Sequence, residues 1–325
     1  MQPIQIPDSK HFDGAVALSD LGIIVAQGPD APTFLHGQLS QDMASQPPEQ
    51  ARLAAYCSPK GRMLASFQCL RPAADTYWLL TDASVLAPTL KRLNMFVLRA
   101  KVKLQDAVGQ LAAVGLAGAQ AQARAGHHAP GAAWPEGDGA SAAWLTRLRD
   151  AAGVVRCLWV GPADQVSTLL GQQSALTPSQ WAWLEVMSGV PRIEAAGVDQ
   201  FVPQMVNYEL VGGVNFSKGC YPGQEVVARS QYRGTLKRRA FVVHAEAPMS
   251  AGQEVFSDAD PGQPAGMVIN AAPMANAADG SPAWSALVEL KLNALDSGLH
   301  LGAADGPVAQ LGQLPYSVAT SDSTE

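Results

Sequence analysis

The chain has 325 residues, 47% of them hydrophobic and 15% charged, with a formal net charge of −6. That composition describes a buried globular protein of about two domains and excludes a disordered or fibrous chain. No apolar run approaches the length of a membrane span and residues 1–14 lack an apolar signal segment, so a cytoplasmic location with no membrane partner is expected.

Residues 23–26 (IIVA) predict a strand. A helix follows, capped by Asp30, with Pro32 in its first turn and Phe34, Leu35 and Leu39 on its buried side. Residues 54–70 predict two strands joined by a turn at 58–61 (SPKG), and 76–81 predicts another strand. Val85, Leu86, Leu90, Leu93 and Val97 recur at helical spacing, and 101–104 returns to a strand. This mixed, hairpin-joined order indicates antiparallel α+β sheets, not a doubly wound parallel one. Residues 115–143, rich in Ala, Gly and Pro, predict a short helix and then an exposed loop around His127 and His128, whose imidazoles read as solvated. Residues 154–160 predict a strand; 162–170 and 179–187 predict helices.

After Arg239 the texture changes. Short strands at 240–244, 254–256, 266–269 and 286–291, separated by Gly, Pro and Asn turns, indicate an all-β module, a small barrel. The expected division is an α+β domain over 1–238, with subdomains at 1–110 and 111–238, then the barrel at 239–325, with 319–325 frayed.

Cys57, Cys69, Cys157 and Cys220 form no C-x-x-C pair, which argues against a zinc or iron–sulfur site held by this chain alone, so no metal ligands are assigned. The first three lie in or beside apolar runs and read as small buried hydrophobes. Cys220 differs. It sits in KGCYPGQE (218–225), followed by VVAR (226–229), where two glycines and a proline fix the backbone around one thiol between Lys218 and Arg229. Such surroundings stabilise a thiolate, so Cys220 is the candidate functional residue. Between 218 and 239, six cations stand against Glu225 alone. This stretch suits a small polyanion or is simply a solvated face, while the net charge speaks against direct nucleic-acid binding.

The run from Lys218 to Arg229 resembles the signature of the YgfZ family, folate-binding relatives of the glycine-cleavage T-protein (aminomethyltransferase). GPD (28–30) with FLHGQLSQD (34–42), YCSPKGR (56–62), the stretch 207–216 with Gly212 and Gly213, and LPY (314–316) resemble further family segments in the same order. The resemblance implies a T-protein-like fold: two antiparallel α+β folate-binding subdomains in a cloverleaf, followed by a C-terminal β-barrel. It implies tetrahydrofolate as cofactor, with Trp181 matching a family tryptophan linked to folate; by its position alone Trp181 reads equally as a core aromatic on an amphipathic helix. A pterin needs a flat wall and its glutamate tail needs cations, so Arg229 and Arg233 are the candidates for the carboxylates. Tyr208, Glu209, Lys218 and Tyr221 are the further candidate lining.

Two departures stand out. The family's pterin-contacting glutamate falls on Met187, with Glu185 expected to face elsewhere on the helix. The acidic pair of the T-protein hairpin falls on Ala65 and Ser66, neither of which relays a proton, so aminomethyl transfer is not expected. The resemblance implies an accessory role in assembly, maturation or repair of iron–sulfur enzymes, including tRNA-modifying ones, through Cys220 as a cluster or mixed-disulfide ligand. The alternatives are a folate-dependent C1-transfer or demethylating enzyme and a thiol-redox protein.

Overall fold

The computed structural model describes residues 4–137, 142–232, 236–274 and 283–318. In chain order the elements are β1 (Gly14–Ala17), β2 (Leu21–Gln27), α1 (Ala31–Gln38), β3 (Arg52–Cys57), β4 (Met63–Ala73), β5 (Thr76–Asp82), α2 (Ala83–Met95) and β6 (Lys103–Asp106). There follow β7 (Leu111–Ala117), α3 (Gly118–Ala125), β8 (Ala133–Glu136), β9 (Ala143–Arg147), β10 (Arg156–Pro162), α4 (Val166–Gly171), α5 (Pro178–Met187) and α6 (Gln224–Tyr232). The C-terminal strands are β11 (Arg238–Ala245), β12 (Glu254–Ser257), β13 (Gly266–Met274), β14 (Ala283–Lys291), β15 (Leu299–Leu301) and β16 (Val308–Leu311).

Three sheets result. One has the order β3-β4-β5-β2-β6, the second β1-β7-β10-β9-β8, and β11-β14-β13-β12-β15-β16 closes into a barrel. Every paired strand is antiparallel, as alternating hairpin segments require. β1 pairs with β7, so the start of the chain belongs to the second sheet and a cut at residue 110 does not separate the two. Closure satisfies the barrel's edge strands.

Local chemistry explains the elements that position the site. The hairpin β3–β4 turns at Ser58–Gly61, as its SPKG sequence predicts. Asp30 stands at the N-cap of α1, as expected, but its side chain makes no capping bond: Oδ2 accepts from the Lys101 backbone N–H at 2.7 Å, and Pro32 pre-forms the first turn. α5 starts with a capping box that the TPSQ sequence encodes, the Thr177 hydroxyl accepting from the Gln180 N–H and the Gln180 amide oxygen accepting from the Thr177 N–H.

α5 is the hinge of the architecture. Trp183, fully buried, stacks on Phe12 with centroids 4.9 Å apart and donates its indole N–H to Ser285 Oγ in the barrel at 2.9 Å. A bulge between Val268 and Asn270 in β13 lets the Asn270 amide bond the Arg192 backbone at both its N–H and its C=O, 2.9 and 2.8 Å. Arg192 is thereby held at the mouth of the cleft between the two sheets. Residues 319–325, expected to fray, lie outside the described residues.

Candidate functional site

A cavity of about 440 Å³ opens between the two α+β sheets, within the ~300–1,000 Å³ typical of small-molecule sites. β3–β5 supply Arg52, Ser66, Phe67, Gln68 and Thr81; the β9–β10 hairpin supplies Arg147, Arg149 and Arg156; the segment after α5 supplies Arg192, and Tyr208 and Asn215 follow.

Trp181 and Glu185 of α5 and its C-cap Ser188, at i, i+4 and i+7, share one side that lines the cavity. Trp181 is 3% exposed, and its indole lies against Gly115 of β7, where a Cβ would come within 2.6 Å of the ring. The Arg156 guanidinium stands 5.3 Å above the indole and pairs with Glu185. Glu185, expected to face elsewhere, therefore lines the cavity, whereas Met187 packs into the core; i, i+4 spacing from Trp181 is the signal that marks it.

The cavity is rich in arginine, with Arg147, Arg156 and Arg192 each paired with an acid. Five arginines line it against one carboxylate, Glu185, among the described residues. Arg156 is 2% exposed, so its field acts where solvent screens little. Thr81 is also buried, and its Oγ1 has no hydrogen-bond partner among the described residues, an orphan group that a ligand or a water would satisfy.

Several expected residues lie elsewhere. Tyr208 lines the cavity and donates its hydroxyl to Ala54 O at 3.1 Å; burial pushes that phenol well up. Its neighbour Glu209 points away into a buried ion pair with Arg239, its carboxyl raised by burial and drawn back down by that guanidinium. Arg229 is exposed on α6 and does not line the cavity, and Arg233 lies outside the described residues. Arg238 and Arg239 are neutralised by Glu289 and Glu209, which removes them from the basic stretch. The arginines that do line the cavity come singly from distant segments, so no local pattern marks them.

The cysteines separate by burial. Cys57, Cys69 and Cys157 are buried and Cys220 is exposed. Burial pushes the Cys57 thiol up to about 12 and that of Cys157 to about 11. Cys220 does not line the cavity. It lies a few residues beyond Asn215, on a segment that leaves the cavity wall and crosses the end of α1.

Contacts fix that segment. Ser40 Oγ donates to Gly213 O at 2.6 Å, and the Lys218 ammonium donates to the carbonyls of His36 and of Leu39, the latter at 2.8 Å. Lys218 also stands 4.8 Å over the buried Tyr221 ring, so both residues serve the loop around Cys220 and not the cavity. Burial brings the Lys218 ammonium down to about 8, against the opposing charges of Asp42 and Cys220. His36 pairs with Asp42 at 2.8 Å and its Nε2 would lie 3.3 Å from a Cβ on Gly219, beside Cys220. Beyond the thiol, Gly223 (φ +80°) lies against Gly61 (φ +70°) of the hairpin turn; a Cβ on Gly223 would sit 2.6 Å from Gly61 Cα. The signature and the hairpin motif are thus two halves of one contact.

Comparison with known proteins fits this geometry. Two antiparallel α+β sheets around a central cleft, closed by a small barrel, define the class to which the aminomethyltransferase T of the glycine cleavage system from Bartonella henselae belongs: its structure superposes with a TM-score of 0.68 at 16% identity, covering 93% of this chain and 86% of that one, a likeness of fold. The GCVT N-terminal domain family matches residues 10–130. The chain is 30% identical to the tRNA-modifying protein YgfZ of Serratia proteamaculans over 328 residues, 98% of this chain and 97% of that protein. It is 33% identical to YgfZ of Edwardsiella ictaluri over 242 residues, 71% of this chain and 70% of the relative. The chain belongs to the YgfZ family. Among the described residues no helix is long and apolar enough to cross a membrane.

Proposed function

We propose that this chain binds tetrahydrofolate in the cavity between its two α+β sheets and acts through Cys220 as an accessory protein in the assembly, maturation or repair of iron–sulfur enzymes, those that modify tRNA among them. The observation that carries the folate assignment is the cavity lining: a buried tryptophan under a guanidinium, a carboxylate and an orphan hydroxyl, and a surplus of arginines. The residues fit the ligand. Trp181, with the Arg156 guanidinium over it, borders the cavity, Glu185 and Thr81 Oγ1 offer acceptors for ring N–H groups, and the guanidiniums match the glutamate carboxylates. Bound, the folate supplies a carrier for one-carbon units.

For the thiol, the support is its exposure among three buried cysteines and its fixed loop. A single thiolate offers one sulfur to a cluster in transfer or forms a mixed disulfide with a client thiol. The enzymatic alternative lacks an acid where the T-protein hairpin carries one. Ala65 is buried, and Ser66 accepts the Ile193 N–H at 2.9 Å. Glu185, the carboxylate that does line the cavity, is held by Arg156, which favours a binding role.

Titration with tetrahydrofolate followed by Trp fluorescence, repeated with Trp181→Ala, tests the ligand: wild type is expected to bind and the variant to lose at least about tenfold in affinity. Cys220→Ser is expected to fold normally and fail to rescue an iron–sulfur enzyme defect in a bacterium lacking its YgfZ relative. Full rescue by that variant removes the thiol from the mechanism.

A further inference from the structure

Between Asp82 and Asp106 the chain carries no acid but five cations, Lys91, Arg92, Arg99, Lys101 and Lys103, in a protein of net charge −6. Arg92 is half-buried beside the Tyr56 hydroxyl; the other four are exposed and have no carboxylate partner among the described residues. The same stretch holds Met95, Phe96 and Leu98, which are 68%, 44% and 85% exposed. Single exposed apolar side chains are ordinary, but three within one turn form a patch that calls for a partner.

Hydrogen bonds fix this turn. Phe96 N donates to Leu93 O at 3.0 Å and Val97 N to Asn94 O at 3.2 Å, while the Val97 side chain packs on the core of the first sheet. Further on, Lys101 is clamped at both backbone groups. Its N–H donates to Asp30 Oδ2 at 2.7 Å and its carbonyl accepts from Asp30 N at 3.3 Å. β6 follows directly and is an edge, ending its sheet and pairing with β2 alone among the described residues. The backbone of Lys101 and the N–H of Ala107, which donates to Ile23 O at 2.9 Å, face the β2 side. By the two-residue period of a strand, the N–H and C=O groups of Val102 and Leu104 then face outward. Lysines on an edge normally deter a further strand. That guard reverses for an acidic strand, whose carboxylates Lys101 and Lys103 attract.

We propose that the β6 edge and the turn at 95–98 form a docking surface for another protein, which adds an extended acidic segment as a strand beside β6 and lays an apolar side chain on Met95, Phe96 and Leu98. Unpaired backbone groups are of use to a polypeptide and not to a bilayer. Met95 and Leu98 offer a nucleic-acid base neither a π face nor a hydrogen-bond donor. Met, Phe and Arg side by side are the composition of protein interfaces. None of these residues lines the cavity, so the docking surface stands apart from the folate reading.

The full chain is titrated with a fluorescein-labelled peptide of alternating glutamate and valine, about ten residues long, and with its lysine–valine counterpart. The acidic peptide is expected to bind, less tightly as salt is raised, and the basic one at least about tenfold more weakly. Leu98→Asp, and Lys101→Glu combined with Lys103→Glu, are each expected to cost at least about tenfold in affinity for the acidic peptide while unfolding in urea as the wild type does. N-methylation of alternate peptide residues, which blocks the strand ladder, is expected to cost as much. Failure of the acidic peptide to bind, equal binding of the basic one, or an affinity that neither variant moves overturns the proposal. Binding to phosphatidylglycerol vesicles or to RNA that Leu98→Asp abolishes, with none to the acidic peptide, overturns the choice of a protein partner.

Discussion

Gly115 offers the sharpest test of how the cavity wall is built. It sits in the centre of the second sheet, opposite Val16 of β1 and Leu158 of β10, with no positive φ to demand glycine. Its need for glycine is steric: a Cβ would stand 2.6 Å from the indole Cδ2 and Cε3 of Trp181, inside any real van der Waals contact. Gly115→Ala must therefore push the indole into the cavity or part the helix from the sheet. Overpacking of this kind costs about 1–3 kcal/mol, and disturbing the Arg156–indole contact adds about 0.5–1 kcal/mol, so a net loss near 2 kcal/mol is expected. The contrasting site is Gly37 in α1, where an added Cβ meets nothing within 4 Å. There Ala should stabilise by about 0.5–1 kcal/mol through the lower entropy of the unfolded chain. Urea unfolding of both variants, with folate titration of Gly115→Ala, measures the pair. Wild-type stability and affinity in Gly115→Ala would refute the indole's seat on β7.

Other outcomes follow from the same structure. A thiol reagent should modify Cys220 rapidly in the native chain and all four cysteines only after denaturation; a second fast thiol contradicts the burial of Cys57, Cys69 and Cys157. Burial alone would raise the Asp42 carboxyl, yet hydrogen bonds from Ser45 and His36 outweigh it and bring it down to about 2. Its folded pKa lies below the unfolded value, so it contributes stability that is fully present above pH ~4 and lost as pH falls toward 2. Asp42→Asn should flatten that part of the stability–pH curve, and an unchanged slope contradicts the pairing. Ser40, fully buried, donates to Gly213 O and accepts from Ala55 N at 2.7 Å. Ser40→Ala is expected to cost about 1–3 kcal/mol and to quicken modification of Cys220 by loosening its segment; an unchanged modification rate separates the two.

What the sequence disclosed follows a physical pattern. β2, β3, β4 and β5 were legible because Ile23, Ile24, Tyr56 and Phe67 alternate or cluster as half-buried strands do, and SPKG announces its turn. β7 was not. Its LAAVGLA sequence carries few β-branched residues because Trp181 and the short helix α3 approach it closely, and small side chains read as a linker. β8 lies in the Ala/Gly/Pro-rich stretch, β9 begins at its end, and β15 and β16 are too short to show a period. α6 is not among the expected elements, although Gln224 begins a helix inside the signature run. Trp181 and Tyr208 could be picked by resemblance. The five arginines could not, since their convergence is a property of how two sheets face each other.

That division bears on what the signature is for. Its glycines are not spent on the cavity: Gly223 meets the hairpin turn at Gly61, Gly219 admits the His36 ring, and Lys218 ties off the carbonyls at the end of α1. Each contact fixes backbone around Cys220, and none touches the lining of the cleft. The cavity in turn reaches the same segment from its other end, through Gly212 and Asn215, which hang on Gln41 and Ser40 just past α1. Ligand wall and thiol loop are therefore two ends of one stretch of chain, both anchored on the C-terminal end of a single short helix. Any displacement of the cavity wall at Gly212 or Asn215 is thereby passed to the loop around Cys220 through the same anchor.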